Sequence, residues 1–215
     1  MIVAAHNEEE RLGDTLTALR AVFPNALLAV ADDASADRTP EIAETHGADL
    51  VRTERRLGKG GANTLAAEHV LQKSEAQIVL LCDGDLGESA AELAKLVTGE
   101  ADVVVATFAR RVGGGFGLAV GLSRRAVRKR TGRHLAAPLS GQRALTREAL
   151  QAVLPFARGF GMETGMDIDV LRKGFTLVEM ELELEHRATG KTAAGFIHRG
   201  RQLVDIARVY LSRRA

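Results

Sequence analysis

The chain predicts an α/β fold, a mostly parallel sheet flanked by helices with an amphipathic helix at the C-terminus. Three observations carry this. Ile78-Val-Leu-Leu-Cys82 is a short apolar run that stops at Asp83-Gly84-Asp85, as a buried parallel strand does. Runs of that kind alternate with helical periodicities along the first half, the signature of strand–helix–strand units. Phe175 to His186 is the clearest strand in the chain, with Val178, Met180, Leu182 and Leu184 apolar and Glu179, Glu181, Glu183 and Glu185 charged, the period of a strand.

Ile2 to Ala5 reads as the first strand. Glu8 to Phe23 reads as a helix, with Leu12, Leu16, Leu19 and Phe23 on one face and acids in the first turn. Ala26 to Ala31 is a second strand, followed by a helix opening at Pro40 and stopping at Gly47. Asp49 to Arg52 is a third strand. Gly58-Lys59-Gly60-Gly61 reads as a loop leading into a helix over Ala62 to Gln72, and the strand Ile78 to Cys82 follows. Ser89-Ala-Ala-Glu92 is a capping-box pattern, and Asp102 to Thr107 a further strand. In the second half, a glycine-rich loop at 113–117 precedes a basic helix over Leu118 to Arg130. Pro138 to Gln142 is a turn, Thr146 a helix cap, and Gly159 to Glu163 the entry to a helix ending near Gly174.

At 215 residues the chain is long enough to bury a sizeable core. Its 46% hydrophobic and 27% charged residues are those of a soluble globular protein. No apolar run reaches the ~18 residues of a membrane span. The start gives way at once to His6-Asn7-Glu8-Glu9-Glu10, so no signal peptide is expected. The single cysteine, Cys82, lies inside an apolar run, which fits core packing in a reducing, cytoplasmic setting. The net charge of +1 hides an uneven distribution: acids crowd the loops of the first half, while arginine and lysine concentrate in 110–111, in 123–134 and in the last helix.

Ligands of open α/β sheets bind beyond the carboxyl ends of the strands. Asp83 and Asp85, separated by a glycine at such an end, suit a hard divalent cation gripping a diphosphate. The bland alternative is an acidic turn. His186 falls on the apolar side of the last strand, as either a metal ligand or a hydrogen-bonded core residue.

Beyond this point the motifs resemble a known family. Ala4-Ala-His-Asn-Glu-Glu9 resembles the Pro-Ala-Tyr-Asn-Glu-Glu opening of family 2-type glycosyltransferases with the GT-A fold. Ala31-Asp-Asp-Ala-Ser-Ala-Asp-Arg-Thr39 is similar to their Val-Asp-Asp-Gly-Ser-x-Asp-x-Thr element, and Gly58-Lys-Gly60 and Asp83-Gly-Asp85 follow in order. Pro155-Phe-Ala-Arg-Gly-Phe-Gly-Met-Glu163 and Glu185-His-Arg187 resemble segments of glucosyl-3-phosphoglycerate synthases. Arg187-Ala-Thr-Gly190-Lys191 resembles a segment of polyprenyl-phosphate sugar transferases. The similarity spans nearly the whole chain. His6 stands where the family has tyrosine, and the helix after the glycine loop lacks the Arg-Val-Thr that the phosphoglycerate enzymes use around their acceptor.

The resemblance implies a GT-A domain over residues 1–192, with a nucleotide-sugar-binding half (1–107), an acceptor half (108–192) and a basic helix (193–215). It implies a metal-dependent hexosyltransferase that moves a sugar from a nucleotide-diphosphate donor, UDP before GDP, to a phosphate-bearing or lipid-phosphate acceptor. Asp85 and His186 would ligate Mg2+ or Mn2+, with Asp83 on the ribose or the metal. Asp33 would accept the imide hydrogen of uracil, with turn formation as the alternative. Ala5, Asn7 and Glu8 would line the nucleoside pocket, and Lys59 would reach the base or a phosphate. Glu163 falls where inverting relatives carry the catalytic base and where retaining relatives hold sugar or acceptor. Ser140, Gly141, Arg187 and Lys191 are the acceptor candidates.

Arg124, Arg125, Arg128, Lys129, Arg130 and Arg133 form a basic run, either a solvated face or a platform for an anionic acceptor or an acidic membrane surface. The last helix, with Phe196, Leu203, Ile206 and Tyr210 near one side, packs on the domain or touches a bilayer at the inner face of the membrane. A homodimer is compatible with this reading. A sugar-phosphate nucleotidyltransferase is the other enzyme reading, but it opens with a glycine-rich loop and a Pro-Lys pair where this chain has His6-Asn7-Glu8. The non-enzymatic reading is a nucleotide-sugar-binding or nucleic-acid-binding module, the latter disfavoured by 4% aromatic residues, which leave few stacking platforms.

Overall fold

A computed structural model describes residues 1–109, 117–184 and 193–213. Its sheet has seven strands: β1 (Ile2–Ala5), β2 (Ala29–Asp32), β3 (Asp49–Arg52), β4 (Ile78–Asp83), β5 (Val103–Phe108), β6 (Arg143–Thr146) and β7 (Leu177–Leu182). They lie in the order β3-β2-β1-β4-β6-β5-β7. All neighbours run parallel except β6, which is antiparallel to both β4 and β5. The helices are α1 (Leu12–Val22), α2 (Thr39–Thr45), α3 (Lys59–Lys73), α4 (Gly117–Thr131), α5 (Arg147–Val153), α6 (Met162–Arg172) and α7 (Ala193–Ser212), with 3-10 segments at Gly87–Leu96 and Gly159–Gly161.

Because side chains alternate along a strand, the sheet separates two cores. Ile2, Ala29, Ala31, Val79, Leu81, Val103, Val105 and Leu145 face the layer of α3 to α7. Val3, Val30, Leu80, Cys82, Val104 and Ala144 face α1, α2 and the 87–96 segment. The strand order reverses at β1, which pairs with β2 on one side and β4 on the other. Such a switch point opens a crevice at the carboxyl ends of the strands.

Several boundaries differ from expectation. α1 begins at Leu12 rather than Glu8, because the Glu8 carbonyl closes a turn with the amides of Arg11 and Leu12. α3 begins at Lys59, so Gly60 and Gly61 lie inside the helix rather than in a loop. Ser89 is no N-cap: its hydroxyl donates to the Leu86 carbonyl, and the segment is a 3-10 helix opening at Gly87. β6 is an unexpected strand. β7 is shorter than the alternation implied, and Val178 is 41% exposed instead of facing inward. Leu182 and Leu184 do face a core. On the other face Leu177 is buried and Glu179 accepts the Ala136 and Ala137 amides.

Thr146 caps α5 as expected, its hydroxyl accepting the Ala149 amide. α7 packs on α4 and α6, with Ile206 and Val209 buried. Arg213 pairs with Asp169, and Arg130 donates to the Tyr210 carbonyl while stacking on its ring. Arg130 is thus spent on the fold, as is Arg124, which donates to the Ala136 carbonyl. Arg125, Arg128, Lys129 and Arg133 stay exposed.

Candidate active site

A cavity of about 1000 Å³ opens at the switch point, lined among others by Ala5, His6, Glu8, Asp33, Lys59, Asp83 and Asp85. Strand geometry places the first wall. The Gly84 amide donates to the Ala4 carbonyl at 2.9 Å and the Asp33 amide to the Ala5 carbonyl at 3.1 Å. The residues following β1, β2 and β4 therefore emerge at one level. His6 Nδ1–H donates to the Asp33 carbonyl at 2.8 Å, tying the first loop to the second.

The two adjacent aspartates after β2 divide the work. Asp32, fully buried, accepts the Ser35 amide and hydroxyl and lies 3.2 Å from Arg52 Nε, so it builds the turn. Asp33 faces the cavity and accepts the amides of Leu57 (2.6 Å) and Gly58 (3.0 Å). It fixes the loop that delivers Lys59. Asn7, at φ +57°, does not line this cavity; its side-chain oxygen accepts the Ala36 amide, and its own amide donates to Ser35.

Lys59 sits on the first turn of α3, where the helix dipole opposes a cation. Two carboxylates override that: Nζ lies 2.6 Å from Asp83 Oδ1 and 2.8 Å from Glu163 Oε1. Burial alone lowers the ammonium's pKa, but Asp83 and Glu163 outweigh it, and the net shift is well upward. Lys59 is firmly charged. Two glycine-bearing segments make this meeting possible. Gly58, at φ +78°, lies against Gly159, and a Cβ on Gly60 would overlap the Ala157 carbonyl oxygen. That close approach sets α3 against the entry of α6, where Glu163 is 5% exposed in the first turn. A carboxylate there is favoured by the dipole.

The acceptor candidates divide as well. Gly141 abuts the charged cluster: a Cβ there would stand 2.5 Å from Lys59 Nζ and 2.7 Å from Asp83 Oδ2. Ser140 is buried, with its hydroxyl on Gln142 Oε1 and its carbonyl on Arg143 Nε. His186, Arg187 and Lys191 lie outside the described residues.

Sequence reasoning missed three residues. Gln142 Nε2 donates to Asp83 Oδ2 at 2.9 Å. Arg143 and Asp167, both fully buried, form an ion pair at 2.5 Å beneath the 138–142 turn. Burial pushes the Asp167 carboxyl up to about 6 against the opposing pull of Arg143. α7 also contributes to the cavity wall, through Gly200, Val204, Asp205 and Arg208.

Asp83 and Asp85 offer hard oxygen donors to the cavity, and the missing Cβ of Gly141 keeps space beside Asp83. Among the described residues no group of three or more His, Cys, Asp or Glu forms a cage. A cation that fits here takes part of its shell from a ligand's phosphates, as Mg2+ does with one or two carboxylates.

Residues 1–153 match the family model described as "Glycosyl transferase family 2". The chain belongs to that family. It is a glycosyltransferase of the GT-A fold. It is 31% identical to glycosyltransferase AglJ of Haloferax volcanii over 81% of this chain and 58% of that protein, so it spans less than two thirds of that relative's length. It is 29% identical to the undecaprenyl-phosphate mannosyltransferase of Micrococcus luteus, over 99% of this chain and 94% of that one. Among solved structures, glucosyl-3-phosphoglycerate synthase from Mycobacterium tuberculosis superposes with a TM-score of 0.78, 26% identity, 99% of this chain and 78% of that chain. That crystal holds Mn2+, uridine diphosphate and glucosyl-3-phosphoglycerate. The same enzyme with phosphoglyceric acid aligns with the same TM-score and coverage at 25% identity. Among the described residues no helix is long and apolar enough to cross a membrane.

Proposed function

We propose that this protein transfers a hexosyl group from a UDP-sugar to a phosphate-bearing acceptor, with a divalent cation at Asp83 and Asp85. One observation carries the reading: Asp83, Lys59 and Glu163, from β4, α3 and α6, meet within 2.6–2.8 Å beside the cavity at the switch point. Three elements far apart in sequence deliver two acids and a base to one point, which core packing does not require.

Asp33 supplies the base contact. Its oxygens already take two backbone amides, and a carboxylate has about four lone-pair sites, which leaves capacity for an imide N–H. Asp85 and Asp83 would hold Mg2+ or Mn2+, which supplies Lewis-acid neutralisation of the departing diphosphate. Lys59 adds a fixed positive charge beside them. Glu163, joined to Asp83 through Lys59 beside the cavity, accepts the proton of the attacking acceptor group as the sugar–phosphate bond breaks. The crystal complexes of the solved relative and the name of the mannosyltransferase support a phosphate on the acceptor. Arg56 and Arg208 on the cavity rim are cations of the right sign for it.

A thermal-shift screen of UDP- and GDP-sugars with and without Mn2+ tests the reading, since a ligand of the native state raises its stability by mass action. UDP-sugars with Mn2+ should raise the melting temperature more than either alone. No UDP response under any condition contradicts it.

A further inference from the structure

We propose that Gln142 is the positioning residue for Asp83: it pins one carboxylate oxygen so that the charge faces the diphosphate site in a single orientation. The inference rests on the metal-dependent transfer reading above. Gln142 is 1% exposed and is held through its carbonyl and both side-chain polar atoms. Its backbone carbonyl accepts the Ala106 amide from β5 at 2.9 Å. Its side-chain oxygen accepts the Ser140 hydroxyl at 3.2 Å, and its side-chain nitrogen donates to Asp83 Oδ2 at 2.9 Å.

The chain of contacts continues inward to a rigid foundation. Arg143 Nε donates to the Ser140 carbonyl at 2.8 Å, and its Nη1 reaches Asp167 Oδ1 at 2.5 Å. Both partners of that pair are buried. The run Asp167–Arg143–Ser140–Gln142–Asp83 thus links the interior of α6 to the wall of the cavity.

The residue type matters. A neutral amide donates one hydrogen bond without cancelling the charge of Asp83. A glutamate in its place would face Asp83 with a like charge, and a lysine would compete with any cation. The two oxygens of Asp83 then have unequal partners. Oδ2 is held by a buried amide at the end of the 138–142 turn, while Oδ1 is held by Lys59, whose side chain is 22% exposed. Oδ1 is the exchangeable side, and Gln142 keeps it turned toward the cavity. The same turn carries Gly141 past the cluster, where any side chain would overlap Lys59 and Asp83.

The test counts free Mn2+ by electron paramagnetic resonance at saturating UDP, with UDP binding in EDTA and the melting temperature of the ligand-free protein measured beside it. Gln142→Leu should raise the Kd for Mn2+ about 10–100-fold, the usual loss when a residue supporting a metal ligand is removed, with metal-free UDP affinity unchanged. Ser140→Ala, which keeps the amide but frees its rotamer, should raise it about fivefold with a near-parental melting temperature. Asp85→Ala serves as the reference. If Asp85→Ala loses Mn2+ while Gln142→Leu and Ser140→Ala bind it as the parent does, the role of Gln142 is refuted and the metal site stands. If Asp85→Ala also binds like the parent, the metal reading itself fails. Should Gln142→Leu not fold, a parental Mn2+ affinity in Ser140→Ala overturns the proposal.

Discussion

Removing the guanidinium of Arg143 is the sharpest test of what holds the 138–142 turn. Arg143→Met leaves the Asp167 carboxylate, 0% exposed, without its counter-charge, and leaves the Ser140 carbonyl without its donor. Breaking one side of a buried ion pair costs about 3–5 kcal/mol. For a domain of this size, about 2–4 °C per kcal/mol applies, so the melting temperature should fall by about 10 °C. Arg143→Met/Asp167→Leu removes both charges and should recover most of that loss, because an apolar pair of similar volume often replaces a buried ion pair without cost. The pH profile adds a second readout. Asp167 holds its proton more tightly folded, at about 6, than at the ordinary 3.8. Its contribution therefore favours the folded chain fully below about pH 4 and is lost as pH rises through about 6, on the order of 3 kcal/mol in all. The double variant should lack that fall in differential scanning calorimetry between pH 4 and pH 7. A single variant that melts within 2 °C of the parent, or a double variant with the same pH slope, would refute the buried-pair argument.

Two further outcomes follow from the site. Glu163→Gln should lower kcat by about 10²–10⁴-fold while leaving UDP affinity within about twofold, measured by steady-state kinetics and calorimetry; equal losses in both would remove Glu163 from proton transfer. Gly60→Ala places a Cβ on the Ala157 carbonyl oxygen and should cost about 1–3 kcal/mol or more as an overpacked contact, with a matching fall in activity as Lys59 shifts; a parental melting temperature would show that α3 and the entry of α6 are not in close contact.

Much of this fold was legible because its signals are local. The apolar runs at β1, β4 and β5 and the turn residues after them mark buried strands, and the structure places them within a residue or two. β6 was invisible for a physical reason: it has four residues, and its first, Arg143, is a charge that only a distant partner, Asp167, makes tolerable in the core. Lys59 shows the same limit. Glycines on both sides read as a loop, yet Gly60 and Gly61 lie in a helix because Gly60 allows α3 to meet the Ala157 carbonyl. Asp83 and Glu163 could be singled out from sequence, but their junction through Lys59 could not, since it depends on how α3 and α6 pack. Gln142 carries no sequence signal of its own; its meaning comes from the antiparallel register that sets β6 beside β4.

The most direct measurement is an anomalous-scattering map of crystals grown with UDP and Mn2+. One strong manganese peak is expected in contact with the Asp85 carboxylate and the diphosphate, within the cavity that Asp33 and Lys59 also line. A peak elsewhere, or UDP bound in that cavity with no metal beside Asp85, would contradict it.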